Sequence, residues 1–527
     1  MKQLSGADAM FLQFERGNNV MHVASLAIYD PSTAPGGGVR FKDVLRFFAS
    51  RLEQFPQFRR RLVTVPLALD RPYWVEDSAF DVEFHVRHIA LPHPGDWRQL
   101  CIQVARLHSR ALDRSRPLWE AYVIEGLHNV PGVPAGSFAL YCKMHHAIID
   151  GESGTELLKA MHSLSPEALD LGEEETDKLT EGHSPRLAEL YSLALLHGVE
   201  RLPSLAKFSL TTVRRLASLG AGAISNLASL RAGMLPQLRT LLSGDLSPLL
   251  SKLPPQTRFS GDVSAHRVFE AVGLPLAEFK PIRAAVGGST LNDLFLAIVG
   301  GALNKYLDAK GELPDTSMIA MVPMTLRGAD KGGDRGNQVG FTMMPVYSEI
   351  ADPLERLRAI SESALTSKRV TDAVGKELAR DLLEHLPAPV SETLLRNVRL
   401  PGVGLIVSNV RGPDVPMYMA GARLVNYAPI SIAIDGMGLN VTGFSYHGTM
   451  WICAVSCRDM LPDPAFFADC LRESFAELKA AAERRATEVA APPTAPEKKT
   501  RRVAKPAAPK RAKARRKAAA KAAPAQD

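Results

Sequence analysis

Apolar residues recur along this chain with two periods. Residues 24–29, 73–75 and 80–88 alternate or run apolar in the manner of strands, and 137–144 reads as a strand buried on at least one side. Between them, Val44, Leu45, Phe47, Phe48 and Leu52 mark an amphipathic helix over 41–55. Residues 97–112 form another, and Leu157, Leu158 and Met161 a third over 154–163. The pattern then changes: 171–180 is acidic, and 187–253 carries helical apolar patches interrupted by Pro203, Pro236 and Pro248. Such a stretch either packs between domains or lies on a lipid surface, where Phe208, Leu210, Val213 and Leu216 beside Arg214 and Arg215 would suit it. Strands return at 319–323, 341–347 and 405–410, and helices at 276–286, 353–369 and 464–482. A long apolar helix opens at Thr290, which caps it, with Asp293 near the positive end of its dipole.

Composition narrows the class. A chain of 527 residues exceeds one ordinary core and implies two domains or more. With 46% hydrophobic and 23% charged residues it has the balance of a soluble globular protein. Five cysteines, scattered apart from one C-x-x-x-C, point to a reducing compartment without a disulfide framework. The first residues lack a charged region followed by an apolar core, and no window approaches about 18 uninterrupted apolar residues. A cytoplasmic protein with no export signal and no transmembrane helix is therefore expected. The net charge of +7 is local: between Pro496 and Asp527, twelve Lys or Arg against Glu497 and Asp527 give +10, which leaves −3 for the rest. That Ala/Pro/Lys/Arg stretch has almost nothing to bury and reads as a disordered tail. It suits an anionic membrane or lipid-droplet surface, and DNA phosphates as the alternative.

The chemistry concentrates in Met144-His145-His146-Ala147-Ile148-Ile149-Asp150-Gly151, a strand end turning into a helix. A neutral imidazole there can take a proton from an attacking hydroxyl or amine and return it to a leaving group. Adjacent residues of an extended segment face opposite ways, so only one histidine can point at a substrate. Two other readings stay open on the residues alone: packed histidines, and a metal site with His85, His88 and Asp150 as co-ligands. Arg59-Arg60-Arg61 either grips phosphates or marks a solvated strand end, and His22 reads as structural, beside the cleft.

The spacing His145-His146-x-x-x-Asp150-Gly151 matches the H-H-x-x-x-D-G signature of the CoA-dependent acyltransferase superfamily. Within it the chain most resembles the bacterial wax ester synthase/acyl-CoA:diacylglycerol acyltransferases, over roughly residues 4–480. Further likeness lies in Leu4-Ser5-Gly6-Ala7-Asp8-Ala9-Met10-Phe11, where a short segment leads into the first strand, and in Pro117-Leu118-Trp119, Asn292-Asp293 and Ser408-Asn409-Val410-Arg411-Gly412-Pro413. The resemblance implies an α/β (α+β) fold of two chloramphenicol acetyltransferase-like halves, each an open mixed sheet with helices, joined by a helical crossover and enclosing a tunnel. The corresponding division is 1–165, 166–255, 256–482 and a tail from 483 to 527.

It further implies an acyl-CoA co-substrate, a diacylglycerol or long-chain alcohol acceptor, and no permanently bound cofactor or metal. His146 would be the proton acceptor, with no acyl-enzyme. Asn292 is the first candidate to stabilise the oxyanion, with Ser408 or Asn409 behind it. Trp119, Asn292, Asp293, Ser408 and Asn409 are the expected substrate contacts, while Asp150 and Gly151 hold the turn, Asp150 through a buried ion pair. Two rivals remain: another acyl transfer on the same fold, such as peptide condensation or acylation of a polyketide alcohol, and a non-catalytic lipid-granule or nucleic-acid-associated protein.

Overall fold

The computed structural model describes residues 1–52, 54–148, 151–167, 185–197, 254–325, 339–374 and 402–490. Most of the expected crossover, the turn around Asp150, the 326–338 stretch and the basic tail lie outside the described residues. Strands are numbered along the chain. A small sheet joins β1 (Lys2–Gln3), β4 (Tyr73–Glu76) and β3 (Arg60–Val63). The first large sheet runs β12 (Tyr418–Met419), β13 (Ala422–Ile430), β2 (His22–Asp30), β7 (Phe138–His145), β6 (Trp119–Glu125), β5 (Val86–Ala90). The second runs β10 (Val339–Pro345), β9 (Ile319–Thr325), β11 (Leu405–Arg411), β14 (Leu439–Tyr446), β15 (Thr449–Cys457), β8 (Arg267–Pro275). Both are mixed: β5 runs parallel to β6, and β11 runs parallel to β9 and β14. This is the expected α/β architecture, with one crossing: β12 and β13 come from the second half of the sequence and complete the sheet of the first.

Strand alternation explains the layers. Leu26 and Ile28 of β2, Tyr141 of β7 and Ile124 of β6 bury one face of the first sheet against Leu100 and Val104 of the Trp97–His108 helix. Ala27, Tyr29, Trp119 and Leu140 face the other way, onto Val44, Phe47 and Phe48 of the amphipathic Phe41–Leu52 helix and Leu157 and Leu158 of the Gly151–Ala160 helix. In the second sheet, Leu405, Val407, Val441 and Ile452 cover the Leu291–Ala309 helix, which is buried on nearly every side. Thr290 and Asp293 form the expected cap, as a reciprocal capping box.

Local chemistry overrode the strand and helix periods in three places. The 80–88 stretch is a short Val82–His85 helix followed by β5, because the Asp81 carboxylate accepts from Glu83 N–H at 2.9 Å and starts a turn. Residues 4–11 do more than lead into β2: they open a Gly6–Phe14 helix capped by Ser5, whose Oγ accepts from Asp8 N–H at 3.0 Å. Over 276–286 the chain makes a tight turn at Leu276–Glu278 before the Phe279–Ala285 helix. All five cysteines are free, and among the described residues no helix is long and apolar enough to cross a membrane.

Gly300 and Gly301 let the Leu291–Ala309 helix sit close to its neighbours. A Cβ on Gly300 would meet the backbone carbonyl of Val346, whereas one on Gly301 would meet the side chains of Ser474 and Arg356. Backbone yields less readily than side-chain ends. Gly300→Ala should therefore destabilise by about 1–3 kcal/mol despite the better helix propensity of alanine, and Gly301→Ala by less. Urea unfolding midpoints at unchanged m-value are the measurement; equal or reversed losses would contradict this packing.

Candidate active site

The histidine motif is held at the end of β7 by its neighbours on both sides. His145 N–H donates to Leu118 O at 2.9 Å, and His146 N–H donates to Met21 O at 2.8 Å. The two rings then part. His145 is buried, its Nδ1 accepting from Ala147 N–H at 3.1 Å. An amide can only donate, so the proton of this ring sits on Nε2, which donates to Glu15 Oε2 at 2.8 Å. His146 instead lies half-buried on the wall of a cavity of about 870 Å³, its ring stacked on Phe11 with centroids 3.9 Å apart and planes 8° apart.

Both supports come from the Gly6–Phe14 helix. Phe11 projects from its second turn and Glu15 is its C-cap. A carboxylate at that end opposes the helix dipole, and Arg114 offsets it: one guanidinium nitrogen donates to Leu12 O at 3.2 Å and to Glu15 Oε2 at 3.0 Å. Burial works against the Glu15 charge, but His145 and Arg114 outweigh it and hold the carboxyl down at about 2. Neither Phe11 nor Glu15 stood out in the sequence. The signal for both is Ser5-x-x-Asp8, a capping pattern that marks the start of a helix.

The cavity lies between the two sheets and is walled by both. The first contributes Ala27, Tyr29, Leu140 and Trp119, with Phe48, Leu52 and Phe58 from the helical segments packed on it, and the second contributes Met321 and Ile406, with Met437 from the turn before β14. Trp119 is both wall and core: fully buried, it donates from Nε1 to Phe58 O at 2.8 Å and stacks on His85. Ser408 shares a face of β11 with Ile406 and Val410, and all three line the cavity. Asn409 also reaches its wall, and its Oδ1 lies beside Gly443 on the face turned to Phe295. Asn292, half-buried in the first turn of the Leu291–Ala309 helix, does not line the cavity, and neither does Asp293, which caps that helix and accepts from Ser361 Oγ at 3.3 Å. Gly151 begins the Gly151–Ala160 helix; Asp150 lies outside the described residues.

The remaining candidates have other partners. His22 is fully buried and hydrogen-bonds His108 O at 2.7 Å, and burial drives its pKa far down. His85 bonds Trp119 O at 2.7 Å, while His88 stacks on Phe41 and meets Glu125 at 3.1 Å. Among the described residues no cluster of three His, Cys, Asp or Glu could hold a metal ion. Arg60 pairs with Glu76 at 2.9 Å, Arg61 lies 3.9 Å from Asp77, and Arg59 lies over the Phe80 ring. None of the three arginines lines the cavity.

This arrangement has counterparts among known proteins. In fold, the chain is similar to the first condensation domain of the calcium-dependent antibiotic synthetase, at 14% identity and a TM-score of 0.51, covering 92% of this chain and 97% of that one. A wax ester synthase/diacylglycerol acyltransferase from Marinobacter aquaeolei VT8 is similar at 26% identity and a TM-score of 0.63, covering 92% and 100%. The catalytic domain defined for wax ester synthase/diacylglycerol acyltransferases matches residues 4–295, and their C-terminal domain matches 335–479. A putative diacylglycerol O-acyltransferase of Mycobacterium tuberculosis is 34% identical over 483 residues, 91% of this chain and 99% of that protein. One from Mycobacterium bovis is 33% identical over 463 residues, 86% and 94%. The chain belongs to the wax ester synthase/diacylglycerol acyltransferase family and is an acyltransferase.

The Glu15 contact carries a pH signature. A carboxyl depressed from 4.5 to about 2 on folding stabilises the protein above 4.5, and that contribution is lost as pH falls through about 2. Glu15→Gln should cost on the order of 1–3 kcal/mol at neutral pH, with Arg114 as the charged partner lost. The gap from wild type should shrink steadily below pH 4.5. A gap independent of pH would remove the charged contact from this account.

Proposed function

We propose that the enzyme transfers a fatty acyl group from acyl-CoA to the hydroxyl of diacylglycerol or of a long-chain alcohol, with His146 as proton acceptor. The observation that carries this reading is the divergence of the two rings: His146 opens on the cavity while His145 is occupied by Glu15 and Ala147. The acceptor oxygen attacks the thioester carbon as its proton passes to the His146 imidazole. The carbon–sulfur bond then breaks, the proton continues to the CoA sulfur, and ester and free thiol leave without an acyl-enzyme. Largely apolar walls of phenylalanine, methionine and isoleucine suit water-insoluble substrates and keep water from competing for the acyl group.

The developing oxyanion needs a fixed donor. Ser408, on the cavity-facing side of β11, is better placed for that role than Asn292, which lies off the cavity wall. The basic stretch 496–527 is the part we assign to an anionic lipid surface, at on the order of 1 kcal/mol per Lys or Arg close to it.

His146→Ala should lower turnover by roughly 10²- to 10⁴-fold, read as free thiol released from acyl-CoA with diacylglycerol or hexadecanol, with thermal unfolding unchanged. His145→Ala should instead lower the unfolding midpoint and affect the chemical step less. Ser408→Ala should reduce turnover by up to about 10²-fold, and Asn292→Ala far less. Equal activity losses for the two histidines, or for Ser408 and Asn292, would overturn the respective assignment. Deleting 496–527 should spare turnover of soluble short-chain alcohols and weaken salt-sensitive binding to anionic vesicles; unchanged vesicle binding with lost retention on DNA would move that stretch to the nucleic-acid reading.

A further inference from the structure

One arm of the cavity follows β2. Alternation places Val23, Ser25, Ala27 and Tyr29 on one face of that strand, and all four line the cavity, as do Leu140, Cys142 and Met144 of β7. The two strands pair from His22 opposite His145 to Tyr29 opposite Phe138. That is eight residues, or seven steps, along β2, roughly 24 Å at the rise of an antiparallel strand. Tyr29 is the last residue of β2, and Leu140 the first of β7, to touch the cavity. The arm therefore ends at the Tyr29 ring, against which His162 packs.

That ring is fixed. His162 Nδ1 lies 2.6 Å from Leu158 O, a carbonyl that only accepts, so the ring proton is on Nδ1. His162 Nε2 is then the acceptor for the Tyr29 hydroxyl, at 2.8 Å. Tyr29 also stacks on Phe138, with centroids 5.2 Å apart, and on His162, at 5.8 Å. Burial holds His162 down at about 4 and Tyr29 well above its ordinary value, so the pair stays neutral at physiological pH. At Ala27, two residues short of Tyr29, the same face offers only a methyl group.

We propose that the Tyr29–His162 pair is the end stop of an arm that takes a long unbranched hydrocarbon chain, so that these two residues set the longest chain the enzyme uses. The inference rests on the acyl-transfer reading above. Its ligand is the chain of the acyl donor or that of the alcohol acceptor, and the two are separated by varying one at a time. The full chain is assayed by thiol release with saturated acyl-CoAs of increasing length against one short alcohol, then with straight-chain alcohols of increasing length against one short acyl-CoA.

Ala27→Leu should block the arm partway, lowering kcat/KM for the longest chains about tenfold or more while sparing short ones. His162→Ala should release the Tyr29 ring and extend the usable length upward. A shift confined to the acyl-CoA series assigns the arm to the donor, and one confined to the alcohol series assigns it to the acceptor. Unchanged length profiles in both series, or a loss in Ala27→Leu and the milder Ala27→Val that is independent of chain length, would overturn the end stop. The base assignment fails separately, if His146→Ala keeps its turnover while the length profiles move. If the wild-type protein releases no thiol with any pair, quenching of tryptophan fluorescence by free fatty acids of increasing length, with Trp74, Trp97 and Trp451 replaced by phenylalanine so that Trp119 alone reports, reads the arm without catalysis. A quenching profile that ignores length, or is unmoved by Ala27→Leu, would then reject it.

Discussion

Strand β2 hydrogen-bonds to β7 along one edge and to β13 along the other, and the site exists only while both pairings hold. The β7 pairing sets His22 opposite His145 and so delivers the histidine motif to the edge of the cavity. The β13 pairing brings in a strand from more than 390 residues away, with Arg423 opposite Asp30 and Ile430 opposite Ala24. A one-residue slip of β2 against either neighbour would turn Val23, Ser25, Ala27 and Tyr29 away from the cavity and Leu26 and Ile28 into it. Register is strongly specified because both faces are buried: one against the Trp97–His108 helix and the other against the Phe41–Leu52 helix.

The halves are also tied by polar contacts close to the site. Asn19 and Asp435 exchange two hydrogen bonds of 2.9 Å, and Asp435 accepts a third from Val263 N–H at 2.9 Å. Both residues line the cavity. Nearby, the buried Arg267 guanidinium donates to the carbonyls of Asn18, Ser264 and Ala433, and desolvation lowers its pKa. The Asn18 carbonyl comes from the first half, so separating the halves would leave this buried charge less compensated. The cavity can thus sit on the boundary between the halves without the boundary being weak.

What was legible in the chain was what short-range physics decides. The Thr290–Asp293 capping box, the amphipathic helix with Val44, Phe47 and Phe48, and the strands at β2, β7 and β11 each follow from a period or a capping side chain within one element. The Gly6–Phe14 helix was hidden because nine residues are too few for a helical period to stand out, although Ser5 and Asp8 mark its start. The capture of β13 by the first sheet could not be read at all: its apolar pattern suits either sheet, and only packing decides. Likewise, the side chains on the cavity wall depend on how β11 and the Leu291–Ala309 helix pack. Ser408 and Asn292 carry equally suggestive motifs, yet β11 brings Ser408 and its neighbour Asn409 to the wall while Asn292 stands apart from it.

The histidines show the same limit most directly. His22, His85, His108 and His162 are all buried, all hydrogen-bonded to backbone carbonyls, and all shifted down chiefly by burial, His108 to about 3 and His162 to about 4. A ring in that condition stays neutral and fills space, and its partner on the backbone fixes its orientation. His145 is held by different means, between a carboxylate and an amide, and its proton is committed to Glu15. What sets His146 apart is therefore its surroundings: a face given to Phe11, and an edge in a cavity large enough for a substrate. The two neighbouring histidines look alike in the sequence, and the Gly6–Phe14 helix gives them different tasks by placing an aromatic ring beside one and a carboxylate beside the other.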